Sequence, residues 1–160
     1  MEKKENVPIS DDIQTFIVKM EPVAKGRPRF VKKTGRVYTP KKTEEATKKL
    51  SEYIYLRKRG KIPKEIENKE YPKKKIVYGV AIYCKFLCHR PKRLGKGDRV
   101  LKTTKPDIDN YVKLVLDACN DAEVWEDDSM VVEVLGQKWY CADHEEPQVQ
   151  IQINRIKICV

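Results

Sequence analysis

Two short acidic groups carry the chemistry of this sequence: Lys105-Pro106-Asp107-Ile108-Asp109-Asn110 and Trp125-Glu126-Asp127-Asp128. Adjacent carboxylates repel one another, and a fold gains nothing by packing them together unless they hold a cation. Asp107 and Asp109, with Asp127 or Asp128, would make an all-oxygen set of hard ligands suited to Mg2+ or Mn2+. An EF-hand is excluded. After Asp107-x-Asp109, the glycine at the sixth loop position and the glutamate at the twelfth are both missing.

The setting of these acids matters as much as their spacing. From Asp107 to Glu146 there are twelve Asp or Glu, with Lys113 and Lys138 as the only Lys or Arg. That is half of the 24 acids in a quarter of a chain whose net charge is +10. Between Lys19 and Lys42, nine Lys or Arg face the single acid Glu21, and between Lys85 and Lys105 eight face Asp98. Segments of this kind suit phosphate contact, where Lys and Arg displace condensed counterions. Clustered carboxylates on a polyanion-binding surface point to a metal site, and so to a nuclease. A plainer account stays open: the basic segments serve solubility, Asp107 caps a helix, and Asp109 pairs with Lys113 across i,i+4.

The elements that must position these groups are legible from periodicity. Asp107 to about Asn120 reads as a helix, because Ile108, Val112, Val115, Leu116 and Cys119 share one face. Asp109, Lys113 and Asp117 step along another face, and Asp107 stands at or before the first turn. A second helix is predicted to have Thr39 as its N-cap and Pro40 at its first position, ending before Gly60. Ala46, Leu50, Tyr53, Ile54 and Arg57 fall on one stripe of it, with Lys and Glu elsewhere. Strands are predicted over 15–20, 76–87, 129–140 and 148–158, the last alternating strictly so that one face is wet. Residues 22–30, with two prolines and a glycine, read as an irregular loop, 32–36 as a hairpin turn, 61–75 as a linker or surface loop and 88–106 as a long basic loop. The order predicts an α+β fold: a single domain with a mixed β-sheet and two main helices on one face.

At 160 residues the chain fits one domain, with a flexible N-terminus at 1–12 and the folded part at 13–160. No apolar run approaches a membrane span, and Met1-Glu2-Lys3-Lys4-Glu5-Asn6 offers no apolar signal core, so a cytoplasmic protein is expected. The five cysteines are an odd count at irregular spacing, which fits reduced thiols. Cys-x-x-Cys pairs are absent, which argues against reading Cys84, Cys88, His89, Cys119, Cys141 and His144 as zinc ligands.

Taken together, Lys105-Pro106-Asp107-Ile108-Asp109-Asn110, then Lys113, then Trp125-Glu126-Asp127-Asp128 closely resemble the RusA family of Holliday junction resolvases. Arg27-Pro28-Arg29 and Tyr38-Thr39-Pro40-Lys41 resemble its amino-terminal part. The resemblance spans roughly residues 15–158 and implies a RusA-like fold. It implies a homodimeric, Mg2+-dependent endonuclease, with Mn2+ as a substitute, that cuts four-way DNA junctions by paired symmetric nicks in a bacterial or phage-infected cell. Carried over by position, Asp107, Asp109 and Asp128 are its catalytic metal-binding carboxylates, Lys113 its essential lysine, and Asp127 an assisting ligand. Lys25, Arg27, Arg29, Lys41, Arg90 and Lys105 are then the expected DNA contacts. Two other readings remain: a non-catalytic basic DNA-binding protein, and a nuclease for flaps or other branched DNA.

Overall fold

Val149, Ile151 and Ile153 alternate with glutamines along the last strand, and this alternation sets the two faces of the sheet. In the computed structural model, residues 13–160 are described; the expected flexible N-terminus, 1–12, lies outside them. The elements in order are β1 (Ile13–Lys19), β2 (Arg29–Val31), β3 (Arg36–Tyr38), α1 (Lys41–Arg57), β4 (Glu65–Glu67), β5 (Lys75–Cys88), β6 (Val100–Leu101), α2 (Ile108–Asp121), β7 (Val131–Tyr140) and β8 (Gln148–Cys159). The main sheet runs β1-β8-β5-β7-β6, with β4 paired to the start of β5. Every pairing is antiparallel except β5 with β7, whose parallel ladder begins at Val80↔Val131 and ends at Cys88↔Tyr140. The fold is therefore α+β, with a mixed sheet and both helices on one face.

Between the sheet and the helices lies one apolar core. Phe16, Val18, Val80, Ile82, Phe86, Val149, Ile151 and Ile153 supply the sheet side, and Ala46, Leu50 and Ile54 come from α1. The stripe predicted on α2 is buried or half-buried, and Tyr111, Leu114 and Ala118 widen it, because α2 packs on α1 as well as on the sheet. Gly136 makes the contact with the sheet close. A Cβ there would lie 3.0 Å from both Ile108 Cγ1 and Val112 Cγ2, so the first turns of α2 rest directly on β7. The other face of the sheet is open, with Thr15, Tyr83, Lys85, Leu135, Gln150 and Gln152 around a shallow depression.

Several local expectations are corrected. Pro40, not Thr39, occupies the N-cap of α1, and its carbonyl accepts from Thr43 and Glu44 N–H. Pro40 has no N–H to leave unpaired, which suits it to the helix entry. Arg29 and Phe30 leave the irregular loop to form the β2–β3 hairpin around Thr34 and Gly35, the latter at φ +65°. The 61–75 stretch contains β4, whose Glu65-Ile66-Glu67 pairs with Lys75–Val77. The 88–106 stretch holds a 3-10 turn at Lys92–Leu94 as well as β6. The strand expected from 129 begins at Val131, because Asp128–Met130 form a 3-10 turn. Four cysteines, Cys84, Cys88, Cys119 and Cys141, are buried free thiols, and Cys159 is exposed. No helix among the described residues is long and apolar enough to cross a membrane.

Candidate active site

Asp107 stands at the N-cap of α2 with extended backbone, and its carbonyl accepts from Asn110 N–H at 3.2 Å. Its side chain makes no capping hydrogen bond. The plainer account of this residue, a side-chain cap, is therefore not what the fold uses it for. Asp109 follows in the first turn, where the helix end favours negative charge. Lys113 Nζ lies 3.6 Å from Asp109 Oδ2. Asp107, Asp109 and Lys113 are all exposed.

The basic loop between β1 and β2 is docked against this same helix end. Lys25 N–H donates to the Asn110 carbonyl at 2.8 Å, and Gly26 N–H donates to Thr43 Oγ1 at 3.1 Å. A Cβ on Gly26 would come within 2.8 Å of the Pro40 ring, so glycine permits the close approach. Held in this way, the loop presents Arg27 and Arg29 as exposed cations beside the acidic motif. Arg29, Glu21, His89, Lys102, Pro106 and Tyr140 line a cleft of about 590 Å³ that reaches the residue before Asp107.

These observations place an acidic helix entry and a basic loop together, and the chain's sequence matches the family described as Endodeoxyribonuclease RusA over residues 19–154. The chain belongs to the RusA family. RusA proteins are endodeoxyribonucleases, the Holliday junction resolvases, and act on branched DNA such as the four-way junction. The chain is also 34% identical over 154 residues to the uncharacterized protein YqaN of Bacillus subtilis (strain 168), covering 91% of this chain and 98% of YqaN.

The second acidic group of this RusA protein lies elsewhere in the chain. Glu126 accepts Lys64 N–H at 2.8 Å and gives its own N–H to the Ile62 carbonyl, so it ties the approach to β4. Asp127 accepts Ser129 N–H at 2.7 Å, and the bonds from Ser129 hold its carboxyl below the usual range. Asp128 opens the 3-10 turn that leads into β7. Because β7 runs parallel to β5, it starts at the end of the sheet where α2 finishes. The Pro106 carbonyl, next to Asp107, is held by Lys138 near the far end of β7. Val131 to Lys138 thus separate the two groups, about 23 Å of strand at roughly 3.3 Å per residue. Among the described residues, no three His, Cys, Asp or Glu side chains are grouped closely enough to hold a metal ion. The single chain brings Asp107 and Asp109 together and leaves Asp127 and Asp128 apart from them.

The expected DNA contacts are differently placed. Arg27, Arg29 and Lys105 are exposed, and Lys41 pairs with Glu45 at 3.6 Å. Lys25 Nζ lies 2.6 Å from Asp117 Oδ2, half-exposed on both sides. Arg90 donates to the carbonyls of Gly95, Asp98, Cys141 and Leu94, at 2.6 to 3.2 Å, and so organises the 88–100 loop from within. Sequence reasoning did not single out Lys102 and Lys138, whose ammonium groups meet the carbonyls just before Asp107. The isolation of Lys138 within the acidic stretch was the available signal.

Proposed function

We propose that this RusA protein cuts four-way DNA junctions as a Mg2+-dependent homodimer, making paired symmetric nicks in the cytoplasm of a bacterial or phage-infected cell. The observation that carries the reading is the carboxylate pair Asp107 and Asp109, exposed at the entry to α2, with the Asp107 side chain free of any capping role. Their donor chemistry fits the cation. Mg2+ is commonly held by one or two carboxylates together with waters and substrate phosphate oxygens. The chemistry supplied by bound Mg2+, or by Mn2+ in its place, is a lower pKa for the attacking water and relief of charge on the phosphodiester. Asp107 and Asp109 hold and orient that cation. Lys113, one turn along α2, orients the water or offsets the developing phosphate charge. Arg27, Arg29 and Lys105 hold flanking phosphates, and Lys41 and Lys25 extend the same basic surface.

The dimer accounts for the second acidic group. Asp127 and Asp128 are remote from Asp107 and Asp109 in one protomer, but a two-fold axis lets them approach the first pair of the other protomer. The edge of β7 just beyond Asp128 supports that contact. β6 pairs only with Trp139 and Tyr140, so among the described residues the rest of this edge is unpaired, with Val132, Val134 and Leu135 exposed. Unpaired apolar edges of this kind are sites of association.

The test is incubation with a labelled four-way junction, a matched linear duplex and a flap, each in Mg2+ and in EDTA. Paired, ligatable nicks in the junction alone, only with Mg2+, are expected. Cutting in EDTA would remove the metal from the mechanism, and preferred cutting of the flap would reassign the substrate. Tight binding without nicks would leave a DNA-binding protein.

A further inference from the structure

We infer that Lys102 and Lys138 are positioning residues for the junction endonuclease, clamping the carbonyls of Thr104, Lys105 and Pro106 and so fixing where Asp107 stands. Lys102 is only 8% exposed. Lysines are almost never buried without a carboxylate partner, and burying an ammonium is costly unless its donors are satisfied. Neither Lys102 nor Lys138 makes an ion pair among the described residues; both spend their donors on the chain leading into the acidic motif. Lys102 Nζ donates to Thr104 Oγ1 at 2.8 Å, to the Lys105 carbonyl at 2.6 Å and, more weakly, to the Thr104 carbonyl at 3.3 Å. Lys138 Nζ donates to the carbonyls of Thr104 at 2.8 Å and Pro106 at 2.7 Å. Tyr140 closes the cluster, with its hydroxyl 2.8 Å from Thr104 Oγ1 and its ring 5.2 Å from Lys102 Nζ.

Three consecutive residues outside any helix or strand are thus held by two cations reaching from neighbouring parts of the sheet. Lys102 follows β6 directly, and Lys138 lies on β7. Asp107 is the next residue, and a ligand must be held to within about half an ångström to be useful. A carbonyl clamp one residue upstream provides that restraint without occupying the carboxylate.

The inference rests on Asp107 being a metal-holding carboxylate, and the experiment separates the two ideas. Lys138→Met, Lys102→Met, Lys138→Arg and Asp107→Asn are compared in two readouts: Mn2+ binding without DNA, followed by the electron paramagnetic resonance signal of free Mn2+, and Mg2+-dependent junction cleavage. Both methionine variants should bind Mn2+ about 10-fold more weakly or worse, the usual loss when the support of a metal ligand is removed. Junction binding in EDTA should be unchanged, and Lys138→Arg should recover part of the loss. Wild-type Mn2+ binding in Lys138→Met, alongside its loss in Asp107→Asn, would overturn the clamp alone. Retained Mn2+ binding and cleavage in Asp107→Asn would overturn the reading beneath it. Should Lys102→Met fail to fold, the half-buried Lys138 decides the matter.

Discussion

The Lys113 ammonium lies 3.6 Å from the Asp109 carboxylate, one turn along α2, with both side chains more than half exposed. An exposed i,i+4 pair of this kind contributes about 0.3–0.5 kcal/mol, too little to explain two charged groups beside a third acid. On the proposed function, their value lies in what they do when a cation and a phosphate arrive. Asp109→Asn should abolish junction cleavage in Mg2+ while leaving binding in EDTA intact. Lys113→Met should lower the single-turnover rate by about 100-fold or more, the scale seen when one group stabilising a charged transition state is removed. Retained cutting by Asp109→Asn would take that residue out of the site.

A shared site makes an unusual prediction about mixtures. In a dimer of one Asp109→Asn protomer and one Asp128→Asn protomer, both lesions fall in the same shared site and the other site is whole. Co-expression of the two dead proteins should then restore about a quarter of wild-type nicking, since half the dimers are mixed and each has one working site. The nicks should fall singly rather than in pairs. If each protomer holds its own complete site, the mixture stays dead.

Arg27 and Arg90 lie on two basic loops and should behave oppositely. Replacing Arg27 and Arg29 together with alanine should weaken junction binding and reduce its salt slope by about 1 to 2 units, if each contacts one phosphate. Arg90→Ala should leave the slope unchanged and lower stability by about 2 kcal/mol, because four carbonyls lose a charged donor. Titration of binding against salt, alongside thermal unfolding, separates the two; a changed slope in Arg90→Ala would return that residue to the DNA surface.

The loop after β7 has its own acid sensitivity. Arg99 Nε donates to Glu145 at 2.9 Å, and Ala142 N–H adds a second bond at 2.9 Å. The Arg99 guanidinium, with Ala142 behind it, holds the Glu145 carboxyl down to about 2, against an ordinary value of 4.5. A carboxyl depressed by folding contributes stability above its unfolded value, and that contribution is lost as pH falls through the window from 4.5 to about 2. The thermal midpoint of the wild type should therefore fall more steeply across that window than that of Glu145→Gln. Parallel curves would show that the pair adds nothing to folding.

The legible parts of this fold were those with enough residues to show a period. The stripe from Ile108 to Cys119 and the alternation from Val149 to Ile153 announced α2 and β8 within a residue or so. Glu65-Ile66-Glu67 is too short and too charged to announce a strand, and becomes one only because Lys75–Val77 offers an unpaired edge. For Arg90 a sequence shows its charge but not the four carbonyls that its guanidinium donates to. The two acidic groups were legible as clusters of carboxylates. Their separation was not, because it depends on β7 running parallel to β5, a pairing that neither strand's own pattern encodes.

That parallel crossover gives α2 the character of a ruler. Its fourteen residues span about 21 Å at roughly 1.5 Å each, with Asp107 and Asp109 at its entry and the other acidic group beyond its last turn. In the proposed two-fold assembly the same length would be counted once from each side, so the gap between the two cutting centres would be set by helical turns rather than by a flexible loop. A four-residue insertion in the middle of α2 would lengthen the gauge by about 6 Å while keeping its apolar face almost in phase. The protein would still grip a junction, but its two incisions would no longer fall opposite one another.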